Sequence, residues 1–187
     1  MDGLFAVLVG LGLAAAAGFR VFVPLLAVGA AARFELLPLT DGFAWMASDA
    51  ALITFGAATA LEIAAYFVPW VDNLLDTLAT PAAVLAGVVL TAAVMTDFDP
   101  AVRWTLAVVA GGGTAGVFQG LTAGTRGISS LATGGVTNFV VALLEAVAST
   151  LLAALAILVP VAAALVIAVL LALVARRTLF RRHPASA

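Results

Sequence analysis

The 187-residue chain has no cysteine, one histidine and few charges, with Asp, Glu, Lys and Arg together making up 10% of its residues. Each scarcity excludes something. Without cysteine there is neither a disulfide framework nor a thiolate metal site. The one histidine, His183, lies in the C-terminal tail, so His-based metal sites and Ser-His-Asp catalysis are out of reach. The eight basic residues are all arginine, the net charge is −2, and no basic patch for nucleic acid exists. Soluble domains carry about 25% charged residues. This chain lacks the polar surface that water requires.

What fills the sequence instead is apolar. Hydrophobic residues make up 65% of it, and the mean hydropathy is +1.24. The runs are too long and too unalternating for barrel strands, and backbone groups in hydrocarbon must be satisfied internally, so the reading is all-α. The expected fold is a polytopic transmembrane bundle of about six spans in a single domain, 1–187. The spans are placed at about Leu4 to Ala32, Met46 to Val68, Pro81 to Thr96, Ala101 to Thr122, Val136 to Leu158 and Pro160 to Leu179. The first is too long for one simple helix, and Gly18, Arg20 and Pro24 predict a break near its middle. Pro81 and Pro160 suit helix starts. Met1-Asp2-Gly3 lacks a positive n-region, so the first run reads as a retained span rather than a signal peptide.

Arg176, Arg177, Arg181 and Arg182 crowd the C-terminus and predict that it is cytoplasmic. The expected location is the inner (plasma) membrane of a bacterium. Between the second and third runs, Val71, Leu74, Leu75 and Leu78 follow the stripe of an amphipathic helix, and Trp70 suits the headgroup region. That segment is expected to lie on the membrane surface.

Sliding the chain by 106 residues sets Gly10–Gly29 against Gly116–Gly135 and matches Gly10/Gly116, Ala17/Ala123, Gly18/Gly124, Arg20/Arg126, Leu25/Leu131 and Gly29/Gly135. At a shorter offset Leu61-Glu62 meets Leu144-Glu145. Halves 1–97 and 101–180 would then form a 3+3 inverted repeat, the plan of many secondary transporters. Similar composition of Ala/Gly-rich helices is the competing explanation.

The polar residues are few enough to weigh singly. Glu62 and Glu145 fall within spans, where a carboxylate costs about 2.5–3.5 kcal/mol on insertion scales and faces a cavity or a partner. Arg20 and Arg126 are the expected partners, one Arg and one Glu per half; such pairs either pin helix register or form a proton- or cation-sensitive site. Gln119 needs a polar partner in the bundle. Gly112, Gly116, Gly120 and Gly124 share a helix face and predict close helix packing. From Thr122 to Asn138 a segment rich in hydroxyls and glycine, with Arg126, Ser129, Ser130 and Asn138, reads as a loop that binds an anion or headgroup, or as a turn with capping residues. Asp72 and Asp76, with Asn73, are weak candidates for Mg²⁺ or Ca²⁺; a solvated helix face explains them better. No catalytic residue and no cofactor are called for.

Gly18-Phe19-Arg20 with Pro24-Leu25-Leu26, then Val71-Asp72-Asn73 and Asp76, then Gly111-Gly112-Gly113-Thr114 followed by Gln119, Thr122, Arg126, Ser129-Ser130, Gly134-Gly135, Asn138 and Glu145 carry a resemblance. From about Gly12 to Pro160 the chain resembles a bacterial membrane family known as domain of unknown function 4126. The resemblance implies a small inner-membrane protein and adds weight to Arg20, Asp72, Asp76, Gln119, Arg126, Ser129, Asn138 and Glu145. It implies no activity.

The leading expectation is therefore a small transporter, channel or lipid-translocating protein with an Arg/Glu site between two helical halves. Membrane lipid and a small solute, ion or headgroup are its expected partners, and a homodimer is left open. A scaffold or accessory subunit whose charges only fix packing is the second class. A lipid-acting enzyme limited to Ser, Asp and Glu is the third.

Overall fold

The computed structural model describes residues 2–65, 69–133 and 137–180, with side chains at all of these except 69–77 and 177–180. Every element among the described residues is helical. In chain order these are α1 (Gly3–Phe19), α2 (Phe22–Arg33), a 3-10 turn (Asp41–Ala47), α3 (Asp49–Ala65), α4 (Pro69–Val94), α5 (Pro100–Leu106), a π segment (Ala107–Gly112), α6 (Gly113–Thr133), α7 (Asn138–Leu158) and α8 (Pro160–Phe180).

α1 is the axis of the molecule. Leu13, Ala14, Ala15, Ala16 and Ala17 are fully buried, and α4, α6, α7 and α8 all pack on this helix. Small side chains make that possible. A Cβ on Gly18 would stand 2.5 Å from Phe118 Cβ and 2.7 Å from the Ala115 carbonyl oxygen, so α1 and α6 touch almost backbone to backbone. Gly12 brings α1 as close to Ala156 of α7. Close approach of this kind, rather than expulsion of water, drives helix association where the surroundings are apolar. Hydroxyls add to it: Thr91 donates to the Gly10 carbonyl at 3.2 Å and Ser149 to the Ala16 carbonyl at 2.9 Å.

The break predicted in the first run is present. Arg20 has extended backbone (φ −147°, ψ 126°), its N–H still closes on Ala16 O, and a new helix begins at Phe22. α2 ends in a two-bond C-cap, Leu36 N–H to Ala31 O and Glu35 N–H to Ala32 O, with Glu35 in the left-handed region at φ 58°. Arg33 then ties α2 to the start of α3 through a 2.8 Å ion pair with Asp49.

Three sequence-based boundaries need correction. α4 is one helix of 26 residues from Pro69, with Pro81 inside it, so Pro81 does not start the third span. The expected surface helix is the N-terminal part of α4; its side chains, including those of Trp70, Asp72, Asn73 and Asp76, lie outside the described residues. The helix expected to stop at Thr122 runs on to Thr133, giving a continuous rod of 34 residues from Pro100. Asp99 starts this rod, accepting from Ala101 N–H at 2.9 Å ahead of Pro100. Ser129 and Ser130 are thus helical, and the anticipated loop from Thr122 to Asn138 is helix as far as Thr133.

The glycine row is also only half right. Gly112 and Gly116 pack against Val84 and Val88 of α4, whereas a Cβ on Gly120 or Gly124 would meet nothing within 4 Å. The tightest contact on this rod is at Gly111, which crosses α4 at Gly87 and Thr91 inside the π segment. By length and composition, Pro100–Thr133 and Asn138–Leu158 are able to cross a bilayer. So is the pair Asp41–Ala47 and Asp49–Ala65 if its 66° bend is one span, and shorter apolar stretches occur at Gly3–Phe19, Phe22–Arg33, Leu78–Val94 and Pro160–Arg176.

Candidate functional site

The break between α1 and α2 places Arg20 where three other helices converge. Its Nη2 donates to the Ala142 carbonyl of α7 at 2.8 Å and to Glu145 Oε2 at 3.2 Å. Glu145 is also held by Arg126 of α6, whose Nε donates to Oε1 at 3.1 Å while its Nη2 donates to Oε2, a two-point grip. Arg20, Arg126 and Glu145 are 1%, 4% and 5% exposed. One carboxylate therefore receives two guanidiniums in a buried contact. The expectation of one Arg–Glu pair per half is replaced by this asymmetric triad.

Glu62 does something different. It reaches from α3 to the start of α2, where Oε1 accepts from Val21 N–H at 2.9 Å and Oε2 from Phe22 N–H at 3.2 Å. The first N–H groups of a helix need acceptors, and Val21 at the N-cap position offers no side-chain oxygen. A carboxylate distant in sequence supplies them, with its charge at the favourable end of the helix dipole. Arg20 and Arg126 are within electrostatic range of it. All four predicted charges thus belong to one neighbourhood, with the helix break between the two carboxylates.

Each carboxylate borders a cleft. The larger, about 520 Å³, is lined by Val21, Phe22, Ala58, Leu61, Glu62, Ala65, Leu78, Ala79 and Ala82. Glu62 is the one ionisable side chain of that lining among the described residues. The smaller, about 260 Å³, lies between α6 and α7 beside Phe19, Thr122, Thr125 and Glu145.

The other predicted residues fall elsewhere or play other parts. Gln119 is buried next to the Gly18 contact. Ser130 accepts from Asn138 Nδ2 at 2.9 Å, and Ser129 shares a 2.6 Å hydrogen bond with Thr137. Thr133 joins the same group through Thr137 at 2.9 Å. These hydroxyls link the end of α6 to the start of α7, one helical turn and more beyond Arg126. Sequence reasoning overlooked Ser149, one turn past Glu145, although a serine within an apolar span is a readable signal. The Ala142 carbonyl that Arg20 finds has no sequence signal at all.

A family model described as "Domain of unknown function (DUF4126)" matches residues 7–179. The chain belongs to this family. Its match covers α2 through α7 entirely, most of α1 and nearly all of α8, so the triad, the helix break and both clefts are inside the family's domain. No curated protein and no solved structure matches the chain.

Proposed function

We propose that this DUF4126 protein is a small multi-pass transporter of the bacterial inner membrane whose working site is the cleft at Glu62. The six spans of the proposal are the broken pair α1–α2, α3 with its 3-10 turn, α4, the α5–α6 rod, α7 and α8. Arg176, Arg177, Arg181 and Arg182, at and beyond the end of α8, favour a cytoplasmic C-terminus. One observation carries the reading: a broken helix in an apolar bundle presents its new N-terminus to a carboxylate that lines a cleft of about 520 Å³. Transporters build sites from interrupted helices because freed backbone groups there bind polar ligands inside the membrane. Intramembrane acids outside a sealed contact mark such pathways.

The triad favours the second reading in its own place. Glu145 borders only the smaller cleft, is 5% exposed and is gripped by two guanidiniums, a suitable device for pinning α1, α6 and α7 in register. The proposal therefore divides the charges: Arg20, Arg126 and Glu145 hold the bundle, while Glu62 works. Solid-supported membrane currents from proteoliposomes, recorded on concentration jumps of inorganic cations, organic cations and organic anions, test this. A protein-dependent current that Glu62→Gln removes, with unchanged melting, supports transport. Its absence for every solute class supports a non-transporting scaffold.

A further inference from the structure

The cleft has a chemistry that narrows its occupant. Apart from Glu62 its described walls are aliphatic and aromatic: Val21, Phe22, Leu61 and Leu78, with Ala58, Ala65, Ala79 and Ala82. Leu61 is 70% exposed and Leu78 55%, so the rim is apolar on the outside as well. In a membrane-embedded bundle that opening faces acyl chains. Its volume is within the range of about 300–1,000 Å³ that holds drug-sized molecules, which bind mainly by apolar contact with a few polar groups fixing orientation.

We propose that the cleft binds a monovalent organic cation with a bulky apolar body, entering sideways from the bilayer and pairing with Glu62. This rests on the transport reading and names its substrate class. The sign follows from the nearest charge. Each Glu62 oxygen accepts a single backbone N–H, and an ionised carboxylate has about four acceptor positions. Capacity remains for a ligand cation. Arg20 and Arg126 are within electrostatic range of Glu62, and both also grip Glu145. An organic anion would meet the Glu62 carboxylate first and be repelled, because Coulomb energy falls with distance. The described walls hold no second polar group to orient a highly hydrated ion, so there an inorganic cation would lose its water shell for one carboxylate. An apolar body removes that cost.

A proton and the ligand then compete for the same carboxylate. Among the described residues, the charged groups around Glu62 are Arg20 at the end of α1 and Arg126 on α6, both of which also hold Glu145 on α7. α2 brings no charge except Arg33 at its far end; the side chains of α4 at 69–77 lie outside the described residues. Lowering the pH protonates Glu62 and weakens cation binding.

The test uses two probes of one shape and opposite charge, tetraphenylphosphonium and tetraphenylborate, titrated calorimetrically into the full-length protein in neutral-lipid nanodiscs against empty nanodiscs. Tetraphenylphosphonium should bind saturably and more weakly as pH falls, and tetraphenylborate should not. Glu62→Gln should weaken the cation by about tenfold or more. Ala79→Trp should fill the cleft and abolish binding with Glu62 intact, and Ala58→Leu serves the same end if the tryptophan disturbs folding. Equal binding of both probes, or cation binding indifferent to Glu62→Gln and to the cleft-filling variants, overturns the proposal. Binding without flux would refute transport alone; flux of another solute class with no tetraphenylphosphonium binding would refute this inference alone.

Discussion

The triad makes an ordered prediction about stability. Glu145→Leu withdraws the carboxylate from both Arg20 and Arg126, whereas Arg126→Met leaves Glu145 with Arg20 at 3.2 Å. Removing one member of a buried pair costs about 3–5 kcal/mol, because the remaining charge stays desolvated. Glu145→Leu should fall at the upper end of that range, since two guanidiniums lose a partner. Arg126→Met should fall at the lower end. The double variant, with apolar groups of similar volume at both places, should recover part of the loss, as apolar replacement of a whole buried pair is often neutral or better. Equilibrium unfolding of the purified protein in mixed micelles, run as a double-mutant cycle, measures all three. Equal or reversed single-variant costs, or strictly additive ones, would refute the shared-carboxylate account.

Other consequences are smaller and equally specific. Gly18→Val should cost about 1–3 kcal/mol or more by overpacking against Phe118 and the Ala115 carbonyl, while Gly120→Ala, which meets nothing, should leave the melting temperature unchanged or higher. Glu62→Ala should speed hydrogen exchange at the Val21 and Phe22 amides and cost about 0.5–2 kcal/mol, as loss of a helix cap does; unchanged exchange there would remove the capping role. Ser149→Ala breaks the 2.9 Å bond to Ala16 O and should cost about 0.6 kcal/mol, the average for such bonds in a membrane bundle. A much larger loss in the same unfolding assay would assign Ser149 a further part.

How far the residues themselves revealed this is uneven. Composition and uninterrupted apolar runs disclose the helical class, because only helices and closed barrels satisfy the backbone in hydrocarbon and these runs are too long and unalternating for barrel strands. The break at Arg20 was legible from Gly18, Arg20 and Pro24 together. The extent of α6 was not: Thr, Ser and Gly between 122 and 133 read as a loop by propensity, yet the hydroxyls of Thr125 and Thr133 bond back to carbonyls one turn earlier and the helix persists. Arg20, Glu62, Arg126 and Glu145 were identifiable as expensive charges requiring partners. Their wiring was not, since matching residues one per half cannot foresee that Glu145 takes both arginines while Glu62 turns to backbone. The repeat pairing had the same blind spot. Gly18 is a tight helix contact and Gly124 faces open space, so aligned positions do unlike work.

The claim that Glu62 works while Glu145 holds is tested most directly by one paired measurement. Glu62→Gln and Glu145→Gln, reconstituted at equal density, are compared for solute-evoked current and for melting. The account predicts that Glu62→Gln melts within a few degrees of the parent protein and carries no current, while Glu145→Gln melts far lower. A Glu62→Gln protein that conducts as the parent does, or a Glu145→Gln protein that keeps its fold and loses only its current, would contradict it.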